Sequence, residues 1–82
     1  MAIRYPSRPA LGRAVTRVLA AGVALDGASD HGASEAIYLR DPDSNGIELY
    51  TDRSRDEWPR NADGTYALYN APLDLDALLA EA

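Results

Sequence analysis

Two alternating apolar segments, Glu35 to Arg40 and Ile47 to Tyr50, flank the run Asp41-Pro42-Asp43-Ser44-Asn45-Gly46. That run is dense in turn formers: proline fixes φ, and Asn-Gly tolerates positive φ. Strand, turn and strand in this order predict an antiparallel hairpin. The alternation also sorts the side chains. Ile37, Leu39, Ile47 and Leu49 share one face, while Ala36, Tyr38, Glu48 and Tyr50 share the other. The apolar set needs a covering layer, so the remainder of the chain must supply one.

The segment before the hairpin supplies it. Ser7 is placed to cap a helix whose first turn holds Pro9, where a missing N–H costs nothing. Leu11, Ala14, Val15, Val18 and Leu19 recur at helical spacing, with Arg13, Thr16 and Arg17 on the wet face. Gly22 is placed to close the helix in the left-handed conformation. Ala2 to Tyr5 reads as a first strand, and Val23 to Ala28 as a second, interrupted by Gly27. The predicted order over residues 1–52 is β-α-β-β-β. Residues 53–82 read as a polar loop, with Trp58 anchored in the core, and a last helix packing on that module. Tyr66 to Tyr69 reads as a short extended piece. Pro72 precedes the helix, Leu73 to Glu81, whose apolar stripe is Leu75, Leu78 and Leu79. The fold class is α+β.

Size and composition narrow the functions. With 82 residues the chain is one domain, with a core of modest size. The net charge of −5 disfavours a nucleic-acid footprint, which is basic. No apolar run is long enough to span a bilayer, and the N-terminal residues lack the apolar core of a signal peptide. A cytoplasmic location is the default expectation. The absence of cysteine removes disulfides and thiolate-held zinc.

Chemistry concentrates between His31 and Tyr50. Glu48 is a mid-strand carboxylate between two apolar residues, so it is either solvated or buried with a partner. A divalent metal is one such partner, and carboxylate plus imidazole is the donor set of non-haem iron and manganese sites. On residue types alone, the plainer reading is a solvated Glu48 and a His31 in a polar network. Tyr38 and Tyr50 fit a strand without any special role.

The segment Ser29 to Pro59, SDHGASEAIYLRDPDSNGIELYTDRSRDEWP, adds a resemblance. His31, five residues, Ile37-Tyr38, two residues, Asp41-Pro42 and then Glu48 follow the extradiol dioxygenase signature. The chain resembles the vicinal oxygen chelate superfamily, which includes glyoxalases, bleomycin resistance proteins and extradiol dioxygenases. Within it the chain is most similar to catechol 2,3-dioxygenase-like proteins. The helix and the closing PLDLDALLAE extend the likeness to nearly the whole chain. The resemblance implies one βαβββ module, half of a cup-shaped barrel. It implies Fe²⁺ or Mn²⁺ as cofactor and a catechol-type aromatic diol with O₂ as substrates. Glu48 matches the carboxylate metal ligand, Tyr38 the tyrosine that hydrogen-bonds a substrate oxygen, and His31 a histidine that serves as acid/base.

The chain departs from that pattern at three places. Ser44 stands where glycine is usual and fits less easily if φ is positive there. Ser29 stands where glycine, asparagine, threonine or a small aliphatic is usual. The other ligands of such enzymes are histidines on first strands, and His31 is the single histidine here. The chain begins just after the expected ligand, as a truncated module would. A concave face left apolar by the missing half implies a homodimer that completes the cup. Metal binding by this chain alone is expected to be weak or absent. The alternative to an enzyme is a non-catalytic small-ligand-binding domain or the remnant of a longer enzyme.

Overall fold

In the computed structural model, which describes residues 1–82, the chain runs β1 (Ala2–Arg4), α1 (Arg8–Ala20), β2 (Leu25–Asp30), β3 (Ser34–Arg40), β4 (Gly46–Asp52), β5 (Ala71–Pro72) and α2 (Leu75–Ala80). A single 3₁₀ turn, Arg55–Glu57, lies between β4 and β5. The five strands form one sheet in the order β1-β4-β3-β2-β5. β1 is parallel to β4, and every other pairing is antiparallel. The fold is α+β, a βαβββ unit followed by an edge strand and a short helix. Neither helix is long and apolar enough to cross a membrane.

Local chemistry accounts for α1. The Ser7 hydroxyl accepts a hydrogen bond from the Ala10 N–H at 3.2 Å, and Pro9 lies in the first turn. At the other end Gly22 adopts φ +81°. The Gly22 N–H donates to Leu19 O and the Val23 N–H to Val18 O. This is a Schellman closure, which satisfies the last carbonyls of the helix.

The hairpin has the expected register, with Ile37 opposite Leu49 and Tyr38 opposite Glu48. Its turn is organised by Asp41, whose Oδ1 accepts from the N–H groups of Asp43 and Asn45 at 2.9 and 2.8 Å. The positive φ falls on Ser44, at +66°, and not on the Asn45-Gly46 pair. The condition raised for Ser44 is met: the position where glycine is usual does take positive φ. The Asp41 carboxylate holds Asn45 by its backbone and its side chain, so the left-handed residue is the one before it.

Both helices cover one face of the sheet. Leu11 and Val15 of α1, Ile37 and Leu39 of β3, Leu49 of β4 and Leu78 of α2 form the core. Gly12 lets the helices touch: a Cβ placed there would sit 2.7 Å from the Leu78 carbonyl oxygen.

Four boundaries and placements differ from the sequence reading. β2 runs from Leu25 to Asp30, with a register shift between Leu25 and Gly27, rather than from Val23 to Ala28. Its polar end is held because Asp30 pairs with Glu35 of β3 and with Ala71 of β5. The segment Tyr66 to Tyr69 is not a strand. Tyr66 makes an isolated bridge to Arg60, and the strand forms at Ala71–Pro72 instead. Proline is tolerated there because β5 is an edge. α2 starts at Leu75, since Asp74 stays extended and accepts from the Ala77 N–H at 3.1 Å. Trp58 is outside the core. It is half-buried, donates its Nε1–H to the Arg53 carbonyl at 3.0 Å and sets its ring edgewise on Tyr66. That indole staples the loop to itself.

Candidate functional site

The face of the sheet away from the helices carries the predicted residues. Tyr38 and Glu48 are direct partners across β3 and β4, and Ala36 and Tyr50 are the next pair along. Strand alternation fixes this, because Ile37, Leu39 and Leu49 are claimed by the core. On the other side of Tyr38 the partner is Gly27 of β2, which brings no side chain beside the ring.

His31 arrives from the β2–β3 turn. Its backbone N–H donates to Ser34 O at 2.8 Å, closing the turn. Its Nε2 lies 3.1 Å from the Tyr38 hydroxyl. The structure thus joins His31 to Tyr38 and sets Tyr38 against Glu48. The Glu48 carboxylate acts on Tyr38 through its charge. Burial first, and then that negative charge, push the Tyr38 phenol above its ordinary value. A phenol is protonated at neutral pH in any case, and this shift moves it further from ionisation, so it remains a hydrogen-bond donor. A cleft of about 400 Å³ opens beside this pair, with Arg40, Asp26 and Ile47 among its walls. The face is mixed rather than apolar: Tyr38, Glu48, Tyr50 and His31 are all half-buried on or beside it. The expectation of a bare apolar sheet is corrected, because three of the strand positions that alternate away from the core are tyrosine or glutamate.

A second set of charged residues was not singled out from the sequence. Glu35 is 1% exposed, on the helix side of β3. The Arg8 Nε donates to both of its oxygens at 2.9 and 3.0 Å, and Arg53 approaches Oε1 at 3.2 Å. Arg8 also pairs with Glu81 beyond α2. Arg53 extends a fork to Asp30, at 2.6 and 2.9 Å. Two arginines thus link three carboxylates, and the five residues come from five parts of the chain. The signal was present: Glu35 shares the alternation of Ile37 and Leu39, so it had to be buried with a partner.

The donor set for a metal is incomplete within one chain. No three histidine, aspartate or glutamate side chains converge. Glu48 is one carboxylate donor, and the single histidine, His31, is engaged with Tyr38. A ferrous or manganous site of two histidines and one carboxylate does not fit these residues alone.

No protein-family profile matches the chain, and no solved structure matches it. Over 81 residues, 99% of its length, it is 47% identical to the catechol-2,3-dioxygenase of Bacillus subtilis (strain 168). The chain spans 28% of the length of that enzyme. Identity at this level, sustained from end to end, relates the chain to one segment of a dioxygenase.

Proposed function

We propose that this chain is a vicinal oxygen chelate module of extradiol ring-cleavage type, acting on a catechol-like aromatic diol with O₂. The observation that supports the reading is a sheet face bearing Tyr38 and Glu48, met by His31 from the adjoining turn, in a chain 47% identical to a segment of a catechol-2,3-dioxygenase. In this reading Glu48 is the one carboxylate ligand the chain offers to Fe²⁺ or Mn²⁺. A second copy of the chain adds only another Glu48 and another His31, so the two histidine ligands of such a site are not among this chain's residues. A homodimer that completes the cup is part of the proposal.

Each residue has a role that its surroundings suit. Tyr38 is kept protonated, so it donates to a substrate oxygen. His31 touches the same hydroxyl and is the group for moving a proton to or from the ring-cleavage centre. The cleft beside Tyr38 and Glu48 leaves room for a ring.

The test is a catechol titration of the whole chain followed through the His31 imidazole resonances, with light scattering at micromolar concentration. Saturable shifts that vanish in Tyr38→Phe support the reading, as does a dimer. Unmoved resonances at millimolar catechol reject it, and a monomer rejects the completed cup.

The donor count favours a second reading, a non-catalytic small-ligand-binding domain or remnant of a longer enzyme. In that case diol binding is unchanged by a chelator and by Glu48→Gln, and added Mn²⁺ does not tighten it.

A further inference from the structure

The turn that carries His31 is held from outside by one side chain. Arg53 follows β4 and is a half-buried residue of the loop. Its NH1 donates to Asp30 Oδ1 at 2.6 Å and to the Gly32 carbonyl at 2.9 Å, and its NH2 donates to Asp30 Oδ2 at 2.9 Å. Its backbone N–H donates to Ala33 O at 2.7 Å. Asp30 Oδ1 in turn accepts from the Gly32 N–H at 2.9 Å. Residues 30, 32 and 33 are all bonded to Arg53, and His31 is the residue they enclose.

The seat leaves little slack. Gly32 holds φ +81°, and a Cβ there would lie 3.1 Å from Pro59 Cγ and 3.3 Å from Tyr69 Cε2. Pro59 and Tyr69 of the loop thus leave no room for a side chain at Gly32, while the guanidinium holds its carbonyl. Glu35, itself buried, fixes the far edge of the guanidinium through NH2 at 3.2 Å and is fixed in turn by Arg8. A planar fork with donors at set angles can engage Asp30 and the Gly32 carbonyl together, whereas an ammonium is a point charge.

We propose that Arg53 is a positioning residue for His31. The Asp30–Arg53–Gly32 clamp sets the height and direction of the His31 ring, and so decides whether Nε2 meets the Tyr38 hydroxyl. Its functional consequence rests on the reading of His31 and Tyr38 as substrate-side groups; the linkage within the free chain does not.

The test uses the full chain labelled with ¹⁵N, and its single histidine gives one unambiguous set of imidazole signals. The wild type is expected to show unequal Nδ1 and Nε2 shifts and a ring-to-ring contact between His31 and Tyr38. Arg53→Lys keeps the charge and removes the fork. It is expected to lose that contact and to move both nitrogen shifts to those of the tautomer mixture of a histidine with no fixed partner. Leu75→Ala, which loosens α2, is the control for mere destabilisation and is expected to keep the wild-type histidine spectrum. Should Arg53→Lys not fold, Asp30→Asn, which weakens the same fork from its other end, is read in the same way. A folded variant of either kind with the wild-type spectrum overturns the proposal. Catechol added to the wild type separates the two ideas: if it moves nothing, the substrate reading fails while the clamp result on the free chain stands.

Discussion

Tyr38 and Glu48 face each other across β3 and β4, and the Tyr38 hydroxyl also meets His31 Nε2 at 3.1 Å. One phenol therefore lies between a carboxylate and an imidazole that are 17 residues apart in the chain. Burial, and then the charge of Glu48, push the phenol above its ordinary value. In the proposed reading this arrangement serves ligand contact more than stability. Tyr38→Phe removes a single hydroxyl with one histidine partner, so thermal unfolding is expected to report a loss of about 1 kcal/mol or less. The same variant is expected to lose the His31 contact and the response to catechol. A large loss of stability would show that the hydroxyl belongs to the folding core.

Glu35 is the opposite case. Its carboxylate is 1% exposed and shared by two arginines. Removing one partner of a fully buried pair costs about 3–5 kcal/mol. Arg8 retains Glu81, Arg53 retains Asp30, and both arginine side chains reach solvent. Glu35→Gln is therefore expected to cost about 2 kcal/mol, below that range. Urea unfolding checks it, and a change within error would show that the network is held by the outer carboxylates alone.

Asp30 gives a pH dependence with a defined sign. The Arg53 guanidinium, above all, holds its carboxyl below the ordinary value, and the Gly32 N–H adds to this. Its unfolded value is about 4, so the unfolded state binds the proton first as the solution is acidified. The stabilisation is complete above about pH 4 and declines as the pH falls through the folded value. Asp41, held by Asn45, and Asp63, held by Thr65, shift in the same direction. The Asp30 contribution is accordingly read as the gap between wild type and Asp30→Asn in melts from pH 6 to pH 3. That gap is expected to narrow on the acid side, and a constant gap contradicts the clamp.

Gly12 tests the contact between the helices. Alanine at a helix interior gains about 1 kcal/mol over glycine in propensity. At this site, however, the new Cβ would lie 2.7 Å from the Leu78 carbonyl oxygen, a backbone atom. Overpacking of this kind costs about 1–3 kcal/mol, so Gly12→Ala is expected to destabilise despite the better helix former. A rise in melting temperature would mean that α2 moves away freely.

The hairpin, α1 with both of its caps, and the division of side chains between two faces were legible because each depends on residues close in sequence. Ser7 accepts from the Ala10 N–H three residues on, and Tyr38 and Glu48 flank a single turn. Trp58, β5 and the start of α2 were misplaced, since each is decided by a partner remote from it or by a cap geometry that composition does not reveal. Asp30 and Arg53 are 23 residues apart, and Arg8 and Glu35 are 27 apart. No period or spacing marks such pairs.

The amino-acid sequence by itself determined that Tyr38 and Glu48 share the face turned away from the helices, because a period of two leaves each strand residue only one side to occupy. Where the His31 ring goes was decided by the tertiary structure alone. A turn residue has no such period, and its direction comes from Asp30, Gly32 and Arg53 meeting across the fold.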